Sequence, residues 1–206
     1  MLTGVDQQLF LYLNSLHSPL WDRVMWIISA IPTWIPLYLA IITVLILKYK
    51  RKMLVMVVVI ALLITASDQV SVVIKNSVKR PRPCYEKVLE GKVHIVNGRC
   101  GGIYGFVSSH ASNSFAVALL SLLLIRKRWF SIAIISWALV VGYSRIYLGM
   151  HYPGDVLFGS LLGALTGWGA YLLFDFLDRK YLKESLFFNS IKKEPLRNAD
   201  NSSGIA

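Results

Sequence analysis

Five long stretches that are almost free of charge dominate this sequence, and each approaches the length a helix needs to cross a lipid bilayer. About 20 apolar residues span the hydrocarbon core, where helices satisfy their own backbone groups, so such stretches predict transmembrane helices. A composition of 55% hydrophobic and only 16% charged residues agrees with this interpretation. We therefore predict an all-α protein, a polytopic transmembrane helix bundle of about five spans. The stretches are residues 24–47, 53–74 (interrupted by Asp68), 108–125 (interrupted by His110), 129–144 and 156–174.

The segments before and after these stretches have a different character. Apolar residues recur at helical spacing within residues 1–20, with Asp6 among the polar residues between them, and predict an N-terminal interfacial helix. A helix packed against the bundle explains the same pattern equally well. Residues 179–206 begin basic and end in NADNSSGIA, which predicts a disordered tail. Because no internal repeat is present, we expect a single transmembrane domain, 1–178, with a long loop at 76–107.

The basic residues predict how the bundle is oriented. Clusters at 48–52, 126–128 and 178–183 follow the first, third and fifth spans, so they fall on one side of the membrane. The positive-inside rule makes that side cytoplasmic, and the tail with it. The net charge of +11 is therefore partly an orientation signal and gives no reason to expect a nucleic-acid partner. The loop at 76–107 then lies outside, where its own cations suggest an anionic ligand.

Three polar segments, far apart in sequence, meet on this outer face. They are KNSVKRPRP (75–83), FVSSHASNS (106–114) and SRIYLGMHYPGD (144–155). Lys75, Arg82 and Arg145 would repel one another at similar depth unless an anion lies between them. Ser108 and Ser109 have the character of a helix start, whose free N–H groups attract phosphate. The sequence therefore predicts a phosphate pocket.

The same face carries an acid–base pair. His151 and Asp155 are four residues apart, so on one helical turn they would face each other, and Pro153 between them favours a helix start. A carboxylate on one ring nitrogen leaves the other nitrogen free for nucleophilic attack. His110, from another helix, is placed to donate a proton to a leaving group. A metal site at His151 and Asp155 is the alternative, and three nearby cations disfavour it.

Asp68 is the one carboxylate inside a predicted span. An intramembrane carboxylate is a candidate functional residue, because burying it is costly. Asp68 also precedes Lys75 by seven residues, two helical turns, so it could brace that lysine. We favour the bracing interpretation.

These segments resemble the three signature motifs of the type 2 phosphatidic acid phosphatase (PAP2) superfamily, membrane lipid phosphatases related to vanadium haloperoxidases. The first motif is a lysine, six residues and Arg-Pro; the second is Pro-Ser-Gly-His; the third is Ser-Arg, five residues, a histidine, three residues and an aspartate. The matching residues are Lys75, Arg82 and Pro83, then Val107, Ser108, Ser109 and His110, then Ser144, Arg145, His151 and Asp155. In the second motif, valine and serine replace the family's proline and glycine.

The resemblance implies a helical core like that of the haloperoxidases and a phosphatase that needs no metal or other cofactor. It implies a phosphohistidine on His151, which Asp155 orients, and protonation of the leaving group by His110. The residues it implies around the phosphate are Lys75, Arg82, Ser108, Ser109 and Arg145.

Finer features resemble bacterial members assigned to lipid A or undecaprenyl diphosphate: the cysteine after RPRP and the stretch GGIYGFVSSHASN. This implies a cell-envelope enzyme of the bacterial inner membrane, with its site facing the periplasm or the cell exterior. Phosphatidylglycerol phosphate and phosphatidate remain alternative substrates. Two alternative functions also remain: a transporter or binding protein for an anionic lipid, and a haloperoxidase-like oxidant. The sequence indicates no oligomeric state. Additional loop cations favour a headgroup with more than one phosphate: Lys79, Arg80, Lys87, Lys92 and Arg99.

The two cysteines, Cys84 and Cys100, both lie in the outer loop. An even pair confined to one loop in an oxidising compartment usually forms a bridge. We therefore predict a disulfide that holds Arg82 and Ser108, two parts of the phosphate pocket, in register.

Overall fold

The structure, a computed structural model, describes residues 2–182, and this part of the chain is an all-α bundle, as predicted. Its only β pairing is an isolated bridge between Pro81 and Tyr104. The predicted tail lies outside the described residues from position 183 onward, and Asp178–Leu182 forms a last turn of π-helix. The α-helices are α1 (Leu2–Ser15), α2 (Pro19–Ser29), α3 (Ile35–Tyr49), α4 (Met53–Val78), α5 (Ser109–Ile125), α6 (Arg128–Tyr147) and α7 (Pro153–Leu177).

The transmembrane character of the bundle is clear from the lengths of these helices. In the described chain, four helical stretches are long and apolar enough to cross a bilayer: Ile31–Tyr49, Met53–Val78, Arg128–Tyr147 and Pro153–Lys180. The apolar helix α5 has 17 residues, about 25 Å, at the short end of the range for a span. These five segments correspond to the five predicted stretches.

The first span differs from the prediction, because no continuous helix runs over residues 24–47. Helix α2 ends at Ser29 and α3 begins only at Ile35, with a 3-10 turn at Ile31–Trp34 between them. Pro32 causes the break, since proline lacks the N–H that would continue the helix and disfavours helical backbone at the residue before it. The bend leaves Ser29 beside the polar segments at one end of the bundle.

The two ends of the bundle have opposite chemistry. At one end, called here the basic end, the Lys48 ammonium donates to the Leu124 carbonyl oxygen at 2.7 Å, and Lys52 pairs with Asp178. The described parts of the three predicted basic clusters therefore lie at the same end of the bundle. The other end, called here the motif end, carries the last turns of α4 and α6 and the first turns of α5 and α7, where all three polar segments are found.

Helices α5 and α7 form the tightest contact in the bundle. Gly159, Gly163 and Gly167 recur every four residues along α7 and face α5. A Cβ added at Gly159 would lie 2.6 Å from the Ser108 carbonyl oxygen, and one at Gly167 would lie 2.7 Å from that of Ala116. Small residues at this spacing let helix backbones approach closely in membranes. This glycine seam fixes the start of α5 against the start of α7.

Helix α1 packs across the motif end. Phe10 is fully buried against Tyr152, with ring centroids 5.4 Å apart, and the Asn14 side-chain amide donates to the Tyr147 carbonyl oxygen at 2.7 Å. Its other side leaves Val5 and Tyr12 exposed. Helix α1 is therefore packed against the bundle, as the alternative interpretation predicted. Its exposed apolar side is also typical of an interfacial helix.

The long loop between α4 and α5 folds back over the motif end. Its two ends pair with each other, since the Arg82 N–H donates to the Ile103 carbonyl oxygen at 3.0 Å and the Gly105 N–H to that of Arg80 at 2.9 Å. Cys84 and Cys100 are joined in a disulfide, with Cα atoms 6.3 Å apart. The loop thereby carries the first motif onto the start of α5.

Candidate active site

The structure brings the three polar segments together around the start of α5. The Ser108 N–H donates to the Asp155 carbonyl oxygen at 3.0 Å, which joins the second motif to the third. One guanidinium nitrogen of Arg82 lies 3.0 Å from Nε2 of His151 and joins the first motif to the third. The convergence predicted from the topology is confirmed.

The start of α5 is built as the sequence suggested. Ser108 is its N-cap, and the hydroxyl accepts a hydrogen bond from the Ala111 N–H at 3.4 Å. The Ser108 side chain is fully buried, so it fixes the helix end rather than opening into the pocket. The Ser109 hydroxyl, in contrast, accepts a hydrogen bond from the Lys75 ammonium and lies 2.6 Å from the Ser71 hydroxyl.

His151 is almost completely buried, and both ring nitrogens face charged groups. Nε2 lies 3.0 Å from an Arg82 guanidinium nitrogen. Nδ1 faces an Asp155 carboxylate oxygen at 3.5 Å, and no hydrogen bond to Nδ1 forms within residues 2–182. The predicted shared helical turn is wrong, because α7 begins at Pro153 and His151 precedes it. Asp155 still reaches the ring, since it occupies the first turn of α7 and its side chain folds back toward the residues before the helix.

The surroundings of His151 favour its neutral form. Burial lowers the pKa of the imidazole well below 6.5, and the charges of Arg82, Arg145 and Lys75 lower it further. A neutral imidazole keeps the lone pair that a nucleophile needs. These surroundings therefore keep the His151 ring neutral at neutral pH.

Asp155 is held by a network that the sequence did not indicate. One carboxylate oxygen accepts from the Tyr152 N–H at 3.0 Å and the other from the Arg80 guanidinium at 2.8 Å. Arg80 also donates to Asp6 of α1 at 2.7 Å and lies over the Tyr152 ring, 4.0 Å from its centroid. The second Asp6 oxygen accepts from the Gly154 N–H at 2.8 Å. The interpretation of Arg80 as a headgroup cation is therefore wrong, because its guanidinium forms ion pairs with the carboxylates of Asp155 and Asp6.

Two buried guanidinium groups leave donors free for a ligand. Arg145 donates to the Ser29 hydroxyl, and Arg82 to the Met150 carbonyl oxygen at 3.2 Å. The Nε–H groups of both arginines are buried and have no hydrogen-bond partner within residues 2–182. Buried donors without partners are costly, and phosphate oxygens would satisfy them. The pocket thus has the charge and the free donors that an anionic phosphate requires.

His110 and Asp68 lie on the side of the pocket that opens toward the membrane interior. Both line an apolar cavity of about 440 Å³, together with Ser109. Lys75 binds Ser109, and no hydrogen bond or ion pair joins it to Asp68 in the described chain. Asp68 therefore acts on Lys75 through its charge at longer range and not through direct contact.

The described residues offer no obvious set of metal ligands. Across positions 2–182, no three His, Cys, Asp or Glu side chains come together as a metal site would need. Asp155 and His151 instead contact arginines, which is the environment expected around an anion.

Comparison with known proteins identifies the family. A family model described as the PAP2 superfamily matches residues 52–179, more than half of the chain. The lipid A 4'-phosphatase of Bacteroides thetaiotaomicron is 43% identical over 179 residues, which cover 84% of this chain and 78% of that protein. The lipid A 4'-phosphatase of Porphyromonas gingivalis is 32% identical over 183 residues, which cover 88% and 78% respectively.

A solved structure shares the fold. The crystal structure of Aquifex aeolicus LpxE matches with a TM-score of 0.64 at 24% identity, covering 79% of this chain and 92% of that one. The chain belongs to the PAP2 superfamily, as the three motifs predicted. It is a multi-pass membrane protein and a membrane lipid phosphatase, a hydrolase of phosphate esters.

Proposed function

We propose that this enzyme removes a phosphate from lipid A, or from a closely similar acylated and phosphorylated sugar lipid, through a phosphohistidine on His151. The observation that carries the chemistry is the position of His151, with Nδ1 toward Asp155 and Nε2 toward the cationic pocket. Similarity to two lipid A 4'-phosphatases over more than four fifths of the chain supports the substrate.

In the first step, Nε2 of His151 attacks the phosphorus and the bond from phosphorus to the lipid oxygen breaks. His110 acts as the imidazolium, a form that the bound phosphate favours because its negative charge offsets the nearby cations. It donates its proton to that oxygen, so the lipid leaves as an alcohol. Arg82 moves its hydrogen bond from Nε2 to a phosphoryl oxygen, since the nucleophile's lone pair forms the new bond. Asp155 stabilises the positive charge that develops on the His151 ring.

In the second step, His110 takes a proton from a water molecule that attacks the phosphohistidine. The bond between phosphorus and Nε2 breaks, inorganic phosphate leaves, and the neutral imidazole returns. In both steps Lys75, Arg82, Arg145 and the N-terminus of α5 stabilise the equatorial oxygens, with Ser109 alongside. Ser108 supports them as the N-cap.

Because these cations supply the charge stabilisation, we expect catalysis without a metal. EDTA should leave turnover unchanged, and vanadate, which mimics a pentacoordinate phosphate, should inhibit competitively. Activity that EDTA abolishes and a divalent ion restores would contradict the metal-free mechanism.

The substrate is tested with purified enzyme in detergent and a panel of lipids: lipid A, undecaprenyl diphosphate, phosphatidylglycerol phosphate and phosphatidate. Phosphate release should give the highest kcat/KM with lipid A. A tenfold preference for any other member would refute the substrate, and binding without phosphate release would favour a transporter or binding protein.

We further propose that the protein resides in a bacterial inner membrane with the motif end at the periplasm or cell exterior, because the basic end carries the cations that stay inside. Single cysteines replacing Lys87 and Lys127 in a cysteine-free variant should respond oppositely to a membrane-impermeant thiol reagent. Position 87 should label in intact cells or spheroplasts. Labelling of position 127 alone would reverse the orientation.

A further inference from the structure

The apolar cavity beside His110 runs from the phosphate pocket into the membrane interior. It lies among α3, α4, α5 and α6, beginning at Ser109 and His110 and reaching Leu45 and Ser121. Ser109 and Ser121 are twelve residues apart on α5, so the cavity extends about 18 Å along that helix. Its volume of about 440 Å³ is within the range of small-molecule sites.

Two polar side chains interrupt the apolar wall at one level. Asn113 is one helical turn below His110 on α5, and Asp68 faces the same cavity from α4. The Ser67 and Ser112 hydroxyls, 2.7 Å apart, join α4 to α5 at this depth, so Asp68 and Asn113 lie at the same level. This level is about 5 Å below His110.

Both side chains carry a hydrogen-bond acceptor to which no donor of the described residues binds. The Asn113 carbonyl oxygen is buried and has no hydrogen-bond partner among the described residues. The Asp68 carboxylate accepts no hydrogen bond and forms no ion pair within residues 2–182, and it interacts with the charge of Lys75 only at longer range. A bare acceptor in an apolar site is costly, so such acceptors indicate a ligand that brings its own donors.

We propose that this cavity holds an acyl chain of the substrate and that Asp68 and Asn113 accept hydrogen bonds from a hydroxyl or amide N–H near the chain's polar end. The proposal rests on the proposed function, because the cavity is continuous with the site that holds the phosphate. The acceptors lie about one helical turn below His110. At that depth they can bind hydrogen-bond donors that are only a few bonds from the phosphorylated sugar.

The proposal makes the two acceptors determinants of specificity. An amide-linked or 3-hydroxylated acyl chain carries the required donors, whereas phosphatidate and polyprenyl phosphates carry none along their chains. A site built to bind a hydroxyl or N–H group discriminates strongly against a ligand that lacks it. The cavity would thus select hydroxyacylated sugar lipids among lipid phosphates of similar length.

The first test changes only the substrate. Wild-type enzyme in detergent is given two synthetic N-acylated glucosamine phosphates that differ only in the 3-hydroxyl of the acyl chain. We expect the hydroxylated lipid to have a kcat/KM about 10-fold higher. Equal kcat/KM values for the two lipids would overturn the role of the hydroxyl, and this test does not depend on any variant folding.

The second test changes the acceptors. Asn113→Leu and Asp68→Leu should each lower the ratio of kcat/KM between hydroxylated lipid and phosphatidate about 10- to 100-fold. Asp68→Asn keeps an acceptor oxygen and should retain most of the preference. Ser121→Ala is the matched control, because Ser121 lines the same cavity but its hydroxyl already donates to the Ala118 carbonyl oxygen at 3.1 Å.

The outcomes separate this inference from the proposed function. If both leucine variants lose activity equally toward the two lipids, or keep the wild-type ratio, the acceptors do not set specificity and the inference fails. If Asp68→Asn behaves like Asp68→Leu, the charge rather than the acceptor matters, and the assignment of Asp68 fails. Wild-type preference for an unrelated lipid in the panel would instead refute the proposed substrate.

Discussion

The two faces of α5 are packed in opposite ways. Toward α7 the helix meets the glycine seam, where the Gly163 position touches the Ser112 backbone and leaves no room for a methyl group. Toward α3 and α4 the same helix borders a cavity of about 440 Å³. One helix therefore carries both a closed and an open interface.

The difference separates two tasks of a lipid phosphatase. The closed face fixes the two histidines of the proposed mechanism, since the α7 backbone holds the Ser108 N–H and so sets the position of His110 relative to His151. The open face leaves space beside His110 for the apolar part of a substrate. Changes on the closed face should therefore act on kcat and folding, whereas changes in the cavity should act on substrate choice.

The largest effect should come from the two histidines that the closed face brings together. His151→Ala and His110→Ala should each lower kcat at least about 10²- to 10⁴-fold, because in the proposed mechanism each removes a group that bonds to phosphorus or moves a proton. Thermal unfolding in detergent should stay near that of the wild type. His17→Ala is the control, since His17 stacks on His94 away from the pocket. If His151→Ala or His110→Ala keeps more than about a tenth of the wild-type turnover, its assigned role is contradicted.

The carboxylate network behind His151 should give the next largest effect. Arg80→Ala should lower kcat about 10- to 100-fold with little change in KM, because Arg80 holds Asp155 and the model of action gives it no substrate contact. Asp6→Ala should follow in the same direction with a smaller loss, and Arg80→Lys should recover part of the activity.

Lys79→Ala, at the exposed neighbouring position, serves as the control for Arg80. Steady-state kinetics on the purified variants decide between two roles. A raised KM with unchanged kcat would show that Arg80 binds the headgroup instead, and would restore the interpretation that the structure replaced.

The close packing at the glycine seam can be tested by a substitution that adds one methyl group. Gly163→Ala should destabilise the bundle by about 1–3 kcal/mol, since the added Cβ meets the α5 backbone. Gly169→Ala, in the same helix, adds its Cβ where no atom lies within 4 Å and should be neutral or slightly stabilising. Equal shifts in the unfolding midpoint of the two variants would show that the seam is not tight.

The disulfide should have the smallest effect of the four. Reduction of Cys84–Cys100 should raise KM or lower kcat a few-fold while the helices melt at nearly the same temperature, because the bridge ties only the loop that carries Arg82. The double variant Cys84→Ser, Cys100→Ser should show the same loss and no response to reductant. Two free thiols in denatured, unreduced protein taken from an oxidising compartment would refute the bridge.

The sequence predicted the helical bundle and the meeting of its three motifs, because spans and motif spacing are local patterns that the topology then brings together. The starts of α5 and α7 were predicted for the same reason, from Ser108 and Pro153. The break at Pro32 also had a local signal, the proline itself, but the long uncharged stretch at 24–47 was interpreted as one continuous span.

Contacts between distant segments could not be predicted in this way. Asp6 and Gly154 are 148 residues apart, and nothing in either segment shows that one caps the other. The cavity is a property of helix packing, so only the structure reveals that Asp68 lines it. Arg80 likewise resembled other loop cations until its two carboxylate partners were seen.

The central claim is that the reaction passes through a covalent phosphate on His151, and rapid-quench labelling tests it most directly. Purified enzyme is mixed with substrate carrying a radioactive phosphate and quenched in alkali, where phosphohistidine is stable. We predict label on the peptide that contains His151 before free phosphate accumulates, lost on acid treatment and absent from His151→Ala. Phosphate release at the full rate without protein-bound label, or label on any other residue, would contradict the account.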